Sequence, residues 1–399
     1  MRKKLVHISH KNIICPLIIA LIVVMQIPIG SSVSMNQQSF HNSGVIVYSQ
    51  ELPQAISLHV SGNRIVDTSG NTVTLRGFNV IGHYHDSNSG EWNIWDYYDT
   101  NVVDRFFAKA KSYGVNIIRE CSNAESWVKN PIVNSNIPNL RVRDMYKDFI
   151  NRAREHGIYI ILHDMSVTST DPDIDFAYPL FTANEKSLFP TRQSFIDYVV
   201  QRTVELGEYD NYIADFWNEP YWMSASAVVD YQSIWQQAIN NVRAQGYDGL
   251  IVTCYSYSLA TWGNPEDSFM NLNWYYDYPL YDPLNNIVIG FHLYREAISG
   301  EHTYSELKDL FTNVFHIKDI ASEIPVICEE TGAENTDNDE DEFLANSLAI
   351  YNEWGLSYLG WCLCNKGTTY DMLQSGTTKD QFILNQHGQI VVNAIQSGK

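Results

Sequence analysis

Short apolar runs alternate with amphipathic segments along most of the chain beyond residue 57. Eight runs have the length and composition of buried β-strands, and most are rich in Ile, Val, Leu, Tyr and Phe. Seven of them end in, or are closely followed by, an ionisable or aromatic residue. The predicted strands are Leu75–Asn79, Val115–Arg119, Ile158–His163, Tyr212–Asn218, Leu250–Cys254, Ile287–Tyr294, Val326–Glu330 and Tyr358–Leu363.

The segments between these runs have the apolar spacing of helices. Gly114 and Gly157 stand where two of the helices should end. Because strand and helix alternate through eight strands, the pattern predicts an α/β fold that closes as a (β/α)₈ TIM barrel. The predicted helices are Val102–Tyr113, Val142–His156, Arg192–Leu206, Ala227–Gln245, Tyr304–Ile320 and Asp341–Trp354.

The chain that precedes the barrel divides into three parts. Three basic residues, Arg2 to Lys4, come before an apolar stretch from Ile13 to Ile29, and small residues at 32 and 34 fit a cleavage site. Residues 1–34 are therefore predicted to be a signal peptide, with an uncleaved membrane anchor as the alternative. Residues 35–56 are predicted to be a linker. Short β runs from residue 57 predict a short N-terminal β-hairpin, and residues 57–399 are predicted to form one catalytic domain.

Composition narrows the classes of partner. The formal net charge is −20, and removal of residues 1–34, which hold four basic and no acidic side chains, would make it −24. Such a charge argues against nucleic acid or an anionic membrane and is compatible with a neutral polysaccharide. The 10 Trp and 25 Tyr supply flat amphipathic side chains that suit sugar rings as well as cores. The five cysteines beyond residue 34 lie in or beside predicted strands, so we expect buried thiols and no disulfide scaffold.

Two carboxyl groups stand at the ends of predicted strands. Glu219 follows the run YIADFW within the segment Tyr212–Pro220, and Glu330 ends the run VICEE. In a (β/α)₈ barrel the C-terminal ends of the strands form the active face. Two carboxyls at that face, one as acid and one as nucleophile, are the minimum equipment for glycoside hydrolysis.

Other strand ends carry a set of residues that accompanies these carboxyls. With these residues the sequence resembles the cellulase family, glycoside hydrolase family five. Members of that family are similar in carrying Arg on strand two, His on strand three, Asn-Glu on strand four, His-x-Tyr on strand six, Glu on strand seven and Trp on strand eight. The resemblance covers roughly residues 57–399 in organisation, and specific identity is confined to these motifs. The matching residues are Arg119, His163, Asn218, Glu219, His292, Tyr294, Glu330 and Trp361.

The resemblance implies retention of configuration by double displacement. Glu330 would be the nucleophile and Glu219 the acid/base, with their carboxyls about 5 Å apart. Arg119 and Tyr294 would hold Glu330 ionised, and Asn218 would bind the sugar 2-hydroxyl. His163 and His292 would be neutral orienting groups, and Trp361 would form the floor of the subsite for the reacting ring.

Two features depart from the family pattern. A second carboxyl, Glu329, precedes Glu330 where a small residue is usual. Strand alternation puts Val326, Cys328 and Glu330 on one face and Glu329 on the other, and the spacing to Gly332 also selects Glu330. We therefore expect the Glu329 side chain to leave the inner face of the barrel. His163 is followed directly by Asp164, a form closer to some mannanases, which leaves the substrate open.

These residues favour an endo-acting β-1,4-glucanase. The alternatives are a β-mannanase of the same fold and a non-catalytic carbohydrate-binding surface protein. No cofactor is expected, and a metal site built from the histidines is disfavoured because no third ligand falls at metal spacing. We expect a secreted monomer whose partner is β-glucan or mannan. An anchor at the cell surface is the alternative location.

Overall fold

The computed structural model describes residues 57–81, 97–164, 188–220, 225–254, 259, 271–298, 303–334, 338–365 and 367–398. The predicted signal peptide and linker, residues 1–34 and 35–56, lie outside the described residues. The short antiparallel hairpin expected at the start of the described chain is present, with strands β1 (Leu58–Ser61) and β2 (Arg64–Asp67).

Eight parallel strands then close into a barrel, so the predicted TIM barrel is confirmed. Each strand pairs with the next along the chain, and the last pairs with the first. The barrel strands are β3 (Arg76–Ile81), β4 (Ile117–Ser122), β5 (Tyr159–Asp164), β6 (Tyr212–Asp215), β7 (Ile251–Cys254), β8 (Ile287–Tyr294), β9 (Val326–Gly332) and β10 (Ser357–Gly360).

The helices follow the predicted pattern except that one is divided and three were not predicted. The segment predicted as one helix, Tyr304–Ile320, forms two, because His316 adopts a positive φ of 56° that interrupts the helix. The helices that were not predicted are Ala124–Lys129, Trp274–Asp277 and Gln386–Ser397. The described helices are Thr100–Ser112, Ala124–Lys129, Val142–Glu155, Arg192–Leu206, Ala225–Ala244, Trp274–Asp277, Tyr304–Asn313, Ile317–Ala321, Asn338–Trp354 and Gln386–Ser397.

The lower half of the barrel interior is apolar and is closed by the hairpin. Side chains from seven of the eight strands fill it, and two hairpin side chains, Leu58 and Ile65, pack against them from below. The backbone N–H of Val60 also donates to Oδ1 of Asn286, 2.9 Å away, which holds the hairpin under the barrel. The strand side chains in this lower layer are Ile117, Tyr159, Ile161, Ile213, Val252, Val288, Ile327 and Leu359.

Among the described residues, no helix is long and apolar enough to cross a membrane. The five described cysteines are buried and none is disulfide-bonded.

Candidate active site

The upper half of the barrel interior is built around one buried cation, Arg119 on β4. Arg119 lies two residues beyond Ile117 of the lower layer and therefore points to the same inner face. Its Nη1 donates to Glu330 Oε1 at 2.6 Å and to Asn79 Oδ1 at 3.1 Å. Its Nη2 donates to Asn218 Oδ1 at 2.7 Å and to Asp215 Oδ2 at 3.0 Å. The guanidinium thus joins four groups that come from three other strands or their ends.

Glu330 is held from two sides. Besides the bond from Arg119, the Tyr294 hydroxyl donates to Glu330 Oε2 at 2.5 Å. Both donors stabilise the carboxylate form, because each gives a charge-assisted hydrogen bond to it. The sequence predicted both contacts.

The expectation that Glu329 leaves the inner face is wrong. Ile327 belongs to the inner layer and Cys328 to the outer core, so alternation points Glu329 inward. Between the pairs Phe291↔Cys328 and His292↔Glu330 the register shifts by one residue, which makes Glu329 the extra residue of a β-bulge. The bulge restores an inward direction at Glu330, so two consecutive carboxyls lie inside the barrel.

Glu219 stands in a loop that continues from β6. The strand ends at Asp215, three residues before the predicted end, and the backbone N–H of Asn218 then donates to the carbonyl of Asp164, 3.0 Å away. Glu219 itself has a φ of 44°, in the left-handed region that residues other than glycine seldom adopt. Such a backbone is typical of functional sites that hold a side chain in a fixed direction.

His292 lies between the two carboxyls. Its Nδ1 is 2.7 Å from Glu219 Oε1 and 3.4 Å from Glu330 Oε2. One ring nitrogen of His292 and one oxygen from each carboxyl lie within 4.8 Å of one another. The predicted sharing of one strand face by His292 and Tyr294 is confirmed, since both reach the carboxyls.

The two carboxyls are in unequal electrostatic surroundings. Burial raises the pKa of Glu219 well above its ordinary value, and the nearby charge of Glu330 raises it further. Burial also raises the pKa of Glu330, but Arg119 and the Tyr294 hydroxyl oppose that rise. Glu219 is therefore the carboxyl that retains its proton to higher pH. Burial, with the charge of Arg119, lowers the pKa of His292 well below its ordinary value, so the ring is neutral.

Three other predicted residues, Asn218, His163 and Trp361, lie around the two carboxyls in separate settings. Asn218 is joined to the site through Arg119. His163 is buried on β5 with Nε2 3.1 Å from Cys121 Sγ, and burial lowers its pKa well below the ordinary value, so it is also neutral. Trp361 follows β10 as a half-buried side chain that packs beside Ile81.

Sequence reasoning missed two polar residues of this layer, Asn79 and Asp215, and predicted the wrong direction for a third, Glu329. Asn79 donates from Nδ2 to the carbonyl of Glu329 at 2.7 Å while its Oδ1 accepts from Arg119. Asp215 and Glu329 complete the surroundings of the guanidinium. The sequence signal for them was a polar residue inside an otherwise apolar strand, as at the end of YIAD. Burial of a carboxyl without a partner is energetically unfavourable, so such a residue predicts a buried partner.

Three aromatic side chains of the described loops and helices are not placed to stack on a sugar. Trp127 and Trp274 are fully buried. Tyr276 is hydrogen-bonded to Glu323, which precedes β9 and so lies towards the opposite end of the barrel. Trp92, Trp95, Trp222 and Trp262 lie outside the described residues.

Two groups of side chains have the spacing of metal ligands within the described part of the chain. One comprises Glu219, His292 and Glu330, and the other Cys254, His292 and Glu329. The first uses the same oxygens that a carboxyl acid and nucleophile would need. The first group contains one histidine and no cysteine, and the second contains one of each.

The chain is similar to several solved glycosidases. A β-glucanase from Saccharophagus degradans, also solved in complex with cellotetraose, is 17% identical over 88% of this chain and 96% of its own, with a TM-score of 0.64. An endocellulase from the archaeon Pyrococcus horikoshii is 18% identical over 87% and 99%, with a TM-score of 0.64. A β-mannanase from Streptomyces thermolilacinus, also solved with mannohexaose, is 21% identical over 85% and 95%, with a TM-score of 0.57.

At these identities the likeness shows the fold alone. A search of curated proteins by sequence found no match. The family profile described as cellulase (glycosyl hydrolase family 5), however, matches residues 66–367, which is more than half of the chain. The chain therefore belongs to the cellulase family, glycosyl hydrolase family 5, and is a glycoside hydrolase.

Proposed function

We propose that the protein is a retaining, endo-acting β-1,4-glucanase in which Glu330 is the nucleophile and Glu219 the acid/base. The observation that carries this proposal is the approach of the two carboxyls, with oxygens within 4.8 Å of each other and of the ring of His292 between them. Retaining enzymes keep their carboxyls roughly 5 Å apart, whereas inverting enzymes leave roughly 6.5–9.5 Å for a water. The short separation supports retention.

In the first step an oxygen of Glu330 bonds to the anomeric carbon as the glycosidic C–O bond breaks. Glu219 gives its proton to the departing oxygen, a role that suits its raised pKa. In the second step Glu219, now ionised, takes a proton from water as the water displaces Glu330. Loss of the Glu330 charge on esterification lowers the pKa of Glu219 and so favours its change of role.

The other predicted residues position these two. Arg119 and Tyr294 keep Glu330 ionised and fix its direction. His292 fixes Glu219 through the 2.7 Å contact of its Nδ1. Asn218, held by Arg119, is assigned to the sugar 2-hydroxyl, and Trp361 and His163 to the pocket of the reacting ring.

A β-mannanase is the second candidate for the substrate. The chain resembles in fold both a glucanase that was solved with cellotetraose and a mannanase that was solved with mannohexaose. The two sugars differ in the orientation of the hydroxyl at C2, so substrate choice depends on the side chains around that position. The sequence His163-Asp164, a form closer to some mannanases, is the feature of this chain that supports mannan as an alternative substrate.

Product analysis tests the proposal. Purified protein should release short oligosaccharides from carboxymethylcellulose and β-glucan faster than from mannan, and proton NMR should show the β-anomer first. Release from mannan alone would establish the mannanase, and an α-anomer formed first would contradict retention. Binding to all three polymers without cleavage would indicate a non-catalytic surface protein. Activity that is lost with a chelator and restored by a metal would contradict the metal-free mechanism.

We also propose secretion, with removal of residues 1–34, because a polysaccharide substrate lies outside the cell. Mass measurement of the protein from culture medium should give a chain that begins near residue 35. A full-length protein found only with membranes would instead indicate the anchor.

A further inference from the structure

Three carboxyl groups surround the guanidinium of Arg119, and two of them, Asp215 and Glu329, have no role in the proposed reaction. Glu330 and Asp215 lie 2.6 and 3.0 Å from its Nη atoms, while Glu329 Oε1 is 3.5 Å from Nε. Arg119 and Glu329 are fully buried, and the other two carboxyls are no more than 3% exposed. If all three carboxyls were ionised, one positive charge would face three negative charges at a site buried from solvent, which is energetically prohibitive.

Glu329 is the carboxyl whose hydrogen bonds are least suited to an anion. Neither of its oxygens accepts a hydrogen bond of ordinary geometry, whereas Glu330 accepts from Arg119 and Tyr294. Glu329 faces the carboxyl of Asp215, and two ionised carboxyls so placed would repel each other. A proton on Glu329 turns this contact into a hydrogen bond to Asp215. Burial and the charge of Asp215 raise the pKa of Glu329 well above its ordinary value.

Gly290 on β8 provides the space for Glu329. A Cβ at position 290 would lie 2.0 Å from Glu329 Oε2 and 2.8 Å from its Cδ. The φ of Gly290 is not in the left-handed region, so the backbone does not itself require glycine there. The absence of a side chain is therefore matched to the carboxyl on the neighbouring strand.

The titratable groups that face Glu329 come from β4, β6, β7 and β8 and from β9 itself. Besides its partners of the Arg119 cluster, the ring of His292 and the thiol of Cys254 offer atoms within 4.8 Å of a Glu329 oxygen and of each other. Burial raises the pKa of the Cys254 thiol and lowers that of His292, so both are neutral. The groups facing Glu329 are Arg119, Asp215, Cys254, His292 and Glu330.

We infer that Glu329 is a positioning residue. It is a neutral carboxylic acid whose O–H donates a hydrogen bond to Asp215, so that the charge of Arg119 is shared by Asp215 and Glu330 alone. The inference rests on the proposed function, since it assigns Glu329 to the support of the nucleophile. Glu329 does not touch the sugar in this account, because its side chain is fully buried beside Arg119. It fixes Asp215, Asp215 fixes Arg119, and Arg119 directs Glu330.

Two variants of position 329 separate this role from others. Glu329→Gln keeps the size and a donor to Asp215 without any charge, so it should retain kcat/KM on a dinitrophenyl β-cellobioside to within about threefold of wild type. Glu329→Met keeps the volume and removes the donor, so it should lose on the order of 10²-fold, the size of effect that a misplaced reacting group produces. Wild-type activity in both variants would show that Glu329 positions nothing, and an equal loss in both would contradict the role of a neutral donor to Asp215.

The pH profile of Glu329→Gln tests the charge state. If Glu329 is neutral in the wild type, the substitution removes no charge and the acidic limb of kcat/KM stays where it is. If Glu329 is an anion, the substitution removes a negative charge beside the nucleophile. The pKa of Glu330 would then fall, the acidic limb would move to lower pH, and the inference would be overturned.

Infrared spectroscopy gives a readout that does not depend on activity. At neutral pH the wild-type spectrum should contain a carbonyl band of a protonated carboxylic acid that Glu329→Gln lacks, and Glu219→Gln should lack a separate band as the matched control. Absence of any Glu329 band would overturn the inference even if Glu329→Met fails to fold. If the band is present but the wild type cleaves none of the polymers, the proposed function fails while the protonated carboxyl stands.

Discussion

The lower and upper layers of the barrel interior are built from the same strands, but the lower layer is apolar and the upper layer is polar. In the lower layer Ile117, Ile161 and Ile213 fill the space with apolar side chains. Two residues further along the same strands stand Arg119, His163 and Asp215, which are equally buried but polar. The lower layer gains free energy from burial, and the upper layer must offset the desolvation of its charges with hydrogen bonds.

The difference shows where the fold is stabilised and where it works. Alternation along each strand gives both layers the same inward direction, so the barrel geometry is common to them. The upper layer holds the ionisable groups Glu219 and His292, whose pKa values are raised and lowered, which is the arrangement that acid–base chemistry requires. Substitutions in the upper layer should therefore change activity more than stability, and those in the lower layer should do the reverse.

The largest effect is expected from removal of the nucleophile in the upper layer. Glu330→Gln should reduce hydrolysis on the order of 10⁴-fold or more, including that of activated aryl glycosides, because no glycosyl-enzyme can form. The fold should persist, since Gln keeps the volume and Arg119 keeps its bond to Asp215. Initial rates together with circular dichroism check both expectations, and the matched control is Glu329→Gln. Loss of activity in the control but not in Glu330→Gln would reverse the two assignments.

Removal of the acid should give a large effect that depends on the leaving group. Glu219→Ala should cripple hydrolysis of polymer far more than that of a dinitrophenyl glycoside, because a good leaving group needs no proton. Added azide should restore turnover and give a β-glycosyl azide, which can be identified by NMR. An α-azide, or an equal loss on both substrates, would count against Glu219 as the acid/base.

A smaller effect is expected on the pH profile when the central cation is replaced. The rate rises with pH as Glu330 loses its proton, and Arg119 favours the ionised form. Arg119→Met removes the cation, so the pKa of Glu330 rises and the acidic limb of kcat/KM moves to higher pH. The alkaline limb, governed mainly by Glu219, should move less; because the carboxyls titrate as a coupled pair, the asymmetry of the shift is what is measured.

Arg119→Lys is the matched variant, since it keeps the charge but not the forked geometry. It should lose activity with little movement of the acidic limb. An unmoved limb in folded Arg119→Met would give Arg119 a purely geometric role.

The lower layer should show the opposite balance. Ile213→Ala, at a buried position, should lower the free energy of unfolding by about 2–5 kcal/mol, because it leaves a cavity under the polar layer. Ile213→Val should cost about 0.5–1.5 kcal/mol. Urea denaturation measures both, and kcat of the folded protein should change only severalfold. A loss of kcat as large as that of Glu330→Gln without loss of stability would remove the distinction between the layers.

Much of this organisation could be predicted from the sequence. The number of strands, their order and the helices between them follow from the alternation of apolar runs with amphipathic segments. Glu219, Glu330, Arg119 and Tyr294 could be found because each ends or follows a strand, and such ends meet at one face of a barrel. Their roles as acid, nucleophile and support stay predictions.

The rest depended on interactions that no local pattern records. The direction of Glu329 was predicted wrongly because strict alternation has no place for a bulge, which is fixed by pairing with β8 and β10. Asp215 and Asn79 were missed because their partner, Arg119, is distant in sequence and only the closed barrel brings them together.

Covalent trapping tests the central claim most directly. A 2-deoxy-2-fluoro cellobioside with a dinitrophenyl leaving group slows the second step more than the first, so a retaining enzyme accumulates the glycosyl-enzyme. Mass spectrometry of the digested protein should find one added 2-deoxy-2-fluorocellobiosyl group on the peptide that contains residues 326–332, and fragmentation should place it on Glu330. A label on Glu329, or turnover of the substrate with no labelled peptide, would contradict the assignment.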